Sequence, residues 1–179
     1  VSDSFEFVEP DSVMPGAVGQ PGHRTFFLQV AENGAAVSFK VEKQQVAALC
    51  EYLGGILADL APVADEERAA PGPAREPVDL AWVVGRLAVA YEEADDRIVV
   101  VAEEFVQIDE ADAEAIDLDD PAALVAAGYE PATAKFRLTR AQVADFIAAG
   151  NDIVRAGRPP CRLCGQPLDP EGHACPRLN

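Results

Sequence analysis

The residues best placed to do chemistry lie in one short stretch. Cys161-Arg162-Leu163-Cys164-Gly165 sets two thiols three positions apart, with a glycine directly after them. Tetrahedral zinc favours this spacing. Two thiolates from one tight turn can point at the same ion, and the glycine lets the backbone fold round it so that N–H groups face sulfur. Gly172-His173-Ala174-Cys175-Pro176 adds two more donors. Cys161, Cys164, His173 and Cys175 then make a full shell of three thiolates and one imidazole, the composition of a closed structural Zn2+ site. His173 and Cys175 are spaced more tightly than a usual second pair, so His173 is the least secure ligand. Two other uses of the thiols stay open. A redox CxxC opens a helix whose dipole lowers a thiol pKa, but here Pro159-Pro160 precedes the motif and no helix pattern follows. A disulfide would need an oxidising compartment. Zinc is the reading these residues favour.

The other candidates are weaker. His23 and Arg24 end a loop containing Gly16, Gly19 and Gly22, and Arg24 could serve an anion as a bidentate donor. Phosphate-binding loops open onto a helix N-terminus, whereas this one opens onto the strand-like run Thr25-Phe26-Phe27-Leu28-Gln29-Val30. The expectation is that Arg24 pairs with a carboxylate such as Glu103 or Glu104 and steadies the fold. Glu103 and Glu104 follow a β-branched run, and neighbours on a strand face opposite sides, so they do not form an acid/base pair. Cys50 sits beside Leu49 on a helical pattern and reads as a small core residue. Residues 109–120 carry a dense acidic cluster. They lack the bend glycine and closing glutamate of a calcium loop, so a solvated loop is expected. The only histidines are His23 and His173, and no Ser-His-Asp set can be assembled.

A repeat must position these groups. Ser38 to Leu57 and Lys135 to Val154 keep one register: Phe39 falls on Phe136, an offset of 97 residues that also carries Gln45, Val46, Ala47 and Ile56 onto Gln142, Val143, Ala144 and Ile153. Each copy reads as a short alternating strand followed by an amphipathic helix. Asn33-Gly34 between apolar runs marks a hairpin. Thr139 stands at an N-cap position, and Gly157 with Pro159-Pro160 marks the second helix's end. Gly54-Gly55 inside the first helix marks close packing or an early end. The expected fold is α+β: two β-β-β-α pseudo-repeats, an antiparallel sheet with two helices on one face, and a small zinc-binding tail. Repeat one covers about 5–61, a Pro-rich surface linker 62–77, repeat two about 78–157, and the tail 158–179.

Composition narrows the partners. Of the 179 residues 49% are apolar, enough for a substantial core, and the net charge is −17. Nucleic-acid affinity depends on Lys and Arg neutralising phosphates, and anionic membranes attract basic segments; this balance opposes both. No apolar run approaches the ~20 residues of a membrane span. The opening VSDSFEFVEPD lacks the basic-then-apolar order of a signal peptide. Together with the metal-like cysteine spacing, this makes the reducing cytoplasm the expected location.

Three stretches carry a family likeness: Val18 to Gln29, Glu42 to Val46, and the tail from Gly157 through Cys161, Cys164-Gly165-Gln166-Pro167-Leu168-Asp169-Pro170 and Gly172-His173-Ala174-Cys175-Pro176-Arg177. They resemble an actinobacterial family of uncharacterised proteins with a CxxCG…GHxCPR tail. The likeness spans nearly the whole chain, and the tail is its most specific part. It implies a soluble cytoplasmic protein with no assigned activity, working beside a histidine phosphatase of the phosphoglycerate-mutase type. It carries over no catalytic residue. The expected function is a non-enzymatic binding or adaptor protein whose zinc tail docks a protein partner. The alternative is an enzyme or small-anion binder using the Gly16 to Arg24 loop. A remote third reading is nucleic-acid binding through Arg155, Arg158, Arg162 and Arg177.

Overall fold

The computed structural model describes residues 2–61, 72–77, 79–108, 116–117, 120–156, 161–165 and 174–177. The architecture is α+β. In chain order it comprises β1 (Phe5–Phe7), β2 (Ser12–Val18), β3 (Thr25–Glu32), β4 (Ala35–Val41), α1 (Lys43–Asp59), β5 (Val84–Glu92), β6 (Arg97–Glu104), α2 (Pro121–Ala126), β7 (Thr133–Leu138) and α3 (Arg140–Arg155). The strands form two sheets, β2-β3-β4 and β1-β7-β6-β5. The three-strand meanders β2-β3-β4 and β5-β6-β7 are antiparallel throughout. Each is then joined to the other half of the chain by a parallel contact. β1 pairs with β7, and Val83 bridges Lys40 on β4. Asn33 and Gly34 both take positive φ, 52° and 81°, the primed-turn geometry that a two-residue hairpin requires.

One core serves both halves. Phe26, Leu28, Val30, Phe39 and Val41 from the first sheet meet Ile98, Val100, Phe136 and Leu138 from the second, with Val46, Leu49 and Leu53 of α1 and Val143 and Phe146 of α3 closing the cluster. The two helices pack against each other, and α3 also lies on β2. Trp82 tilts over Phe39 with 4.5 Å between ring centres.

The glutamines shared by the repeat have a structural reason. Gln45 accepts from the backbone N–H of Glu42 at 2.8 Å, and Gln142 accepts from that of Thr139 at 2.9 Å. Each thereby closes its helix N-terminus, where backbone donors are otherwise orphaned. The amide nitrogen of each then reaches into the opposite repeat, Gln45 to Val84 O at 3.1 Å and Gln142 to Pro10 O at 2.6 Å. Pro10 and Val84 are 74 residues apart, as are Gly16 and Ala90, which pair with Phe27 and Val99. The leading strands β2 and β5 are therefore equivalent, and each repeat staples the other.

Three sequence expectations change. The Gly- and Pro-rich stretch expected as a loop from Asp11 to His23 contains β2. A Cβ at Gly16 would lie 2.3 Å from the Phe27 ring, so this glycine makes room for an aromatic on the neighbouring strand. Pro15 is tolerated because β2 is an edge strand. α2, capped by Asp120 accepting from Ala122 N at 2.9 Å, was not anticipated. Gly54 and Gly55 mark neither close packing nor a helix end: a Cβ at either meets nothing within 4 Å, and α1 runs on to Asp59. Most of the acidic stretch (109–115, 118–119) and the first part of the linker (62–71) lie outside the described residues. The described part of the linker is tied down, since the Gln29 amide accepts from Arg75 N at 2.8 Å and donates to Arg75 O at 3.1 Å.

Candidate metal centre

α3 delivers the chain to the cysteines. Its last carbonyls form the negative end of the helix dipole, and Arg24 donates from Nη1 to Ala156 O at 2.7 Å. This corrects the expected pairing of Arg24 with Glu103 or Glu104. Glu104 is held instead by Ser2 Oγ at 2.6 Å and Ala132 N at 3.1 Å. A helix end offers unsatisfied carbonyls and a partial negative charge together, which is partner enough for a guanidinium. His23 is exposed, and its backbone N–H donates to Gln20 O at 2.9 Å. Gly19 and Gly22 take φ of 100° and 99°; they make the tight turn between β2 and β3. The glycines that hinted at a phosphate cradle thus serve a turn and an aromatic contact, and Arg24 closes a helix.

The tail does bring its thiols together. Residues 162–164 turn, Gly165 N donates to Cys161 O at 2.8 Å, and Gly165 sits at φ 75°, where a side chain would be strained. Leu163 N points at Cys161 Sγ from 3.4 Å. The N–H groups of Cys164 and Leu163 hold the Cys161 thiol below the usual thiol range by favouring the thiolate. Cys175 arrives from the other arm and is buried, with its sulfur 3.9 Å from that of Cys161. Arg177 ties this arm to the turn by donating to Leu163 O at 3.1 Å.

The three sulfurs of Cys161, Cys164 and Cys175 lie within 4.8 Å of one another, and none is in a disulfide. A disulfide bond is about 2.05 Å long, so the cluster is not an oxidised pair. Thiolates about 2.3 Å from one tetrahedral ion stand about 3.8 Å apart, close to the 3.9 Å seen between Cys161 and Cys175. The cluster fits a metal ion. His173, the expected fourth ligand, lies outside the described residues. Arg177, noticed in the sequence as a charge and as the last residue of the tail motif, proves to be a strut of the site, and nothing in its spacing signals that.

Cys50 takes no part. It is buried against α3, where a Cβ on Gly150 would come within 2.3 Å of its sulfur. Burial pushes its thiol up to about 11. No described helix is long and apolar enough to cross a membrane.

Residues 5–175 match the model of a family described as "Protein of unknown function (DUF3090)", and the chain belongs to that family. No curated protein and no solved structure matches it.

Proposed function

We propose that this protein is a non-enzymatic adaptor whose tail folds round a structural zinc ion and docks a protein partner in the reducing cytoplasm. The observation that carries the reading is the convergence of Cys161, Cys164 and Cys175. A soft, thiolate-rich tetrahedral set suits zinc, and His173 as fourth ligand leaves no open coordination position for catalysis. Leu163, at the tip of the knuckle, is 49% exposed between the exposed Arg162 and Cys164. It supplies an apolar contact point with a cationic neighbour. The small-anion reading loses its main support because Arg24 is bonded to Ala156 O. The proposed partner is a histidine phosphatase, a choice that rests on the family likeness alone.

Elemental analysis of the purified protein tests the metal. About one zinc ion per chain is expected, lost in Cys161→Ser and Cys175→Ser and weakened in His173→Ala. Chelation should expose the thiols of Cys161, Cys164 and Cys175, leave that of Cys50 unreactive, and leave the fluorescence of buried Trp82 unchanged. Protein with accessible tail thiols and no zinc would sink the metal site. Direct titration of the purified phosphatase with wild type and with Cys161→Ser tests the docking role, and equal affinity for both would remove it.

A further inference from the structure

The two sheets carry different chemistry on their outer faces. On the first, Gln29 of β3 stands opposite Ser38 of β4. The Gln29 amide nitrogen donates to Ser38 Oγ at 3.0 Å and to Arg75 O at 3.1 Å, and its oxygen accepts from Arg75 N at 2.8 Å. Ser38 is buried, so it pins the amide in one orientation, with a donor and an acceptor aimed at a passing main chain. The equivalent pair in the second repeat is Val101 and Lys135, which cannot present both. The common plan of the repeats therefore does not require this clamp. Met14, opposite Gln29, and Phe27, two residues before it, lie on the same face and are buried. Ala88, the counterpart of Met14, is exposed.

The main chain in the clamp belongs to residues 72–77, Gly-Pro-Ala-Arg-Glu-Pro. Ala74 and Pro77 are half-buried, while Gly72, Pro73, Arg75 and Glu76 are exposed. A spacing of three sets Ala74 and Pro77 on one face of a polyproline helix, which has three residues per turn. Among the described residues, the two bonds from Gln29 are the hydrogen bonds that hold this strap to the body.

We propose that this face is a docking site for an extended, proline-bearing peptide of a partner protein, and that residues 72–77 fill it in cis. Gln29 reads only an N–H and a carbonyl, so any residue can stand where Arg75 does. The half-buried pair asks for a small residue and, three positions on, a proline. Proline keeps such a segment extended and needs no partner for an N–H. An incoming segment of this pattern remakes both Gln29 bonds as the strap leaves, so no donor or acceptor on the face is left unpaired. The strap's advantage is its tether, which gives it an effective concentration of about millimolar. The clamp shares no residue with the metal centre.

The probe is the capped peptide Gly-Pro-Ala-Arg-Glu-Pro, titrated by amide NMR shifts into the full chain and into a variant with residues 72–77 replaced by Gly and Ser. The variant should bind the peptide about tenfold or more tighter than wild type, whose own strap competes. Adding Gln29→Ala should abolish the binding, and so should methylating the arginine amide nitrogen of the peptide. Exchanging that arginine for alanine should leave affinity unchanged. A folded variant that ignores the peptide would overturn the proposal, as would equal binding to wild type, indifference to Gln29→Ala, or a variant that unfolds because the strap is part of the fold. The unaltered chain gives a second measurement. Its Arg75 amide should exchange about tenfold or more faster than that of buried Leu28, as a segment that opens locally does, and equal protection of the two would overturn the proposal as well.

Discussion

β2 and β5 hold the same place in the two repeats and meet opposite fates. β2 is buried from Val13 to Gly16, while β5 is exposed at Gly85, Arg86, Ala88 and Ala90. Both lead an antiparallel meander, both are held near their start by the glutamine of the opposite helix (Pro10, just before β2, and Val84 in β5), and both lie at the edge of a sheet. Topology therefore does not decide burial here; the covering does. α3 lies along β2, whereas α1 makes only limited contact with β5. The helices differ in the same sense. At the offset of 97 residues, Leu53 on α1 faces the core and its counterpart on α3 is Gly150, over which the Cys50 sulfur rests. Where two copies of a unit meet at their own interface, there is room for bulk from one side only. The copies must diverge there while keeping their common plan elsewhere.

The largest expected effect probes what the copies still share. Leu49 and Phe146 are equivalent core positions, and both are buried, Phe146 at 1% exposure. Phe146→Ala should cost about 3–5 kcal/mol and Leu49→Ala about 2–5 kcal/mol, read as urea midpoints at constant m-value. A loss under 1 kcal/mol at either would show that the helix there does not close a common core.

Gly150 sharpens the contrast. Gly150→Ala should destabilise by about 1–3 kcal/mol through overpacking, because its new methyl meets the Cys50 sulfur. Cys50→Ala removes that sulfur, so the double variant should be clearly more stable than additivity allows. Additive behaviour in the double-mutant cycle would mean that the two helices do not touch at this point.

The stapling glutamines come next. Gln45→Ala and Gln142→Ala each lose one helix-capping bond and their contact with the other repeat, one bond for Gln142 and two for Gln45, at a net cost of about 0.5–1.5 kcal/mol per well-formed bond. The Gln142 change should be the larger, since its bond to Pro10 O is 2.6 Å long against 3.1 and 3.4 Å for those of Gln45 to Val84 O and Gly85 O. The reverse order in thermal melts would mean that the second repeat is held by something else.

Much of this was legible because its causes are local. The Asn33-Gly34 turn, the Thr139 cap, the helical repeat and the cysteine spacing each state their requirement within a few residues. The misses have distant causes. Gly16 looks like a loop residue until the Phe27 ring is placed across it. The partner of Arg24 is a carbonyl 132 residues away, at a helix end, and no pairing rule based on charge alone would find it. The exposure of β5 was equally hidden: its alternating Leu87, Val89 and Tyr91 read like any half-buried strand. The missing cover is a property of α1 and not of β5.

The smallest effect concerns glycines with no such distant cause. Gly54 and Gly55 stand in the interior of α1, where α3 carries Asn151 and Asp152. Interior glycine costs a helix about 0.8–1 kcal/mol relative to alanine, because it gives up more backbone freedom on folding. Such a cost is tolerated where close approach demands it, as at Gly150. At Gly55 it is not demanded: the position is exposed, and an added Cβ meets nothing within 4 Å. Gly55→Ala should therefore stabilise the protein by up to about 1 kcal/mol, with the denaturation midpoint raised and the m-value unchanged. Gly150→Ala, the same substitution on the partner helix, should move the midpoint the other way. If Gly55→Ala destabilises instead, something covers that face of α1 in the folded protein, and the two helices are less different than their glycines make them look.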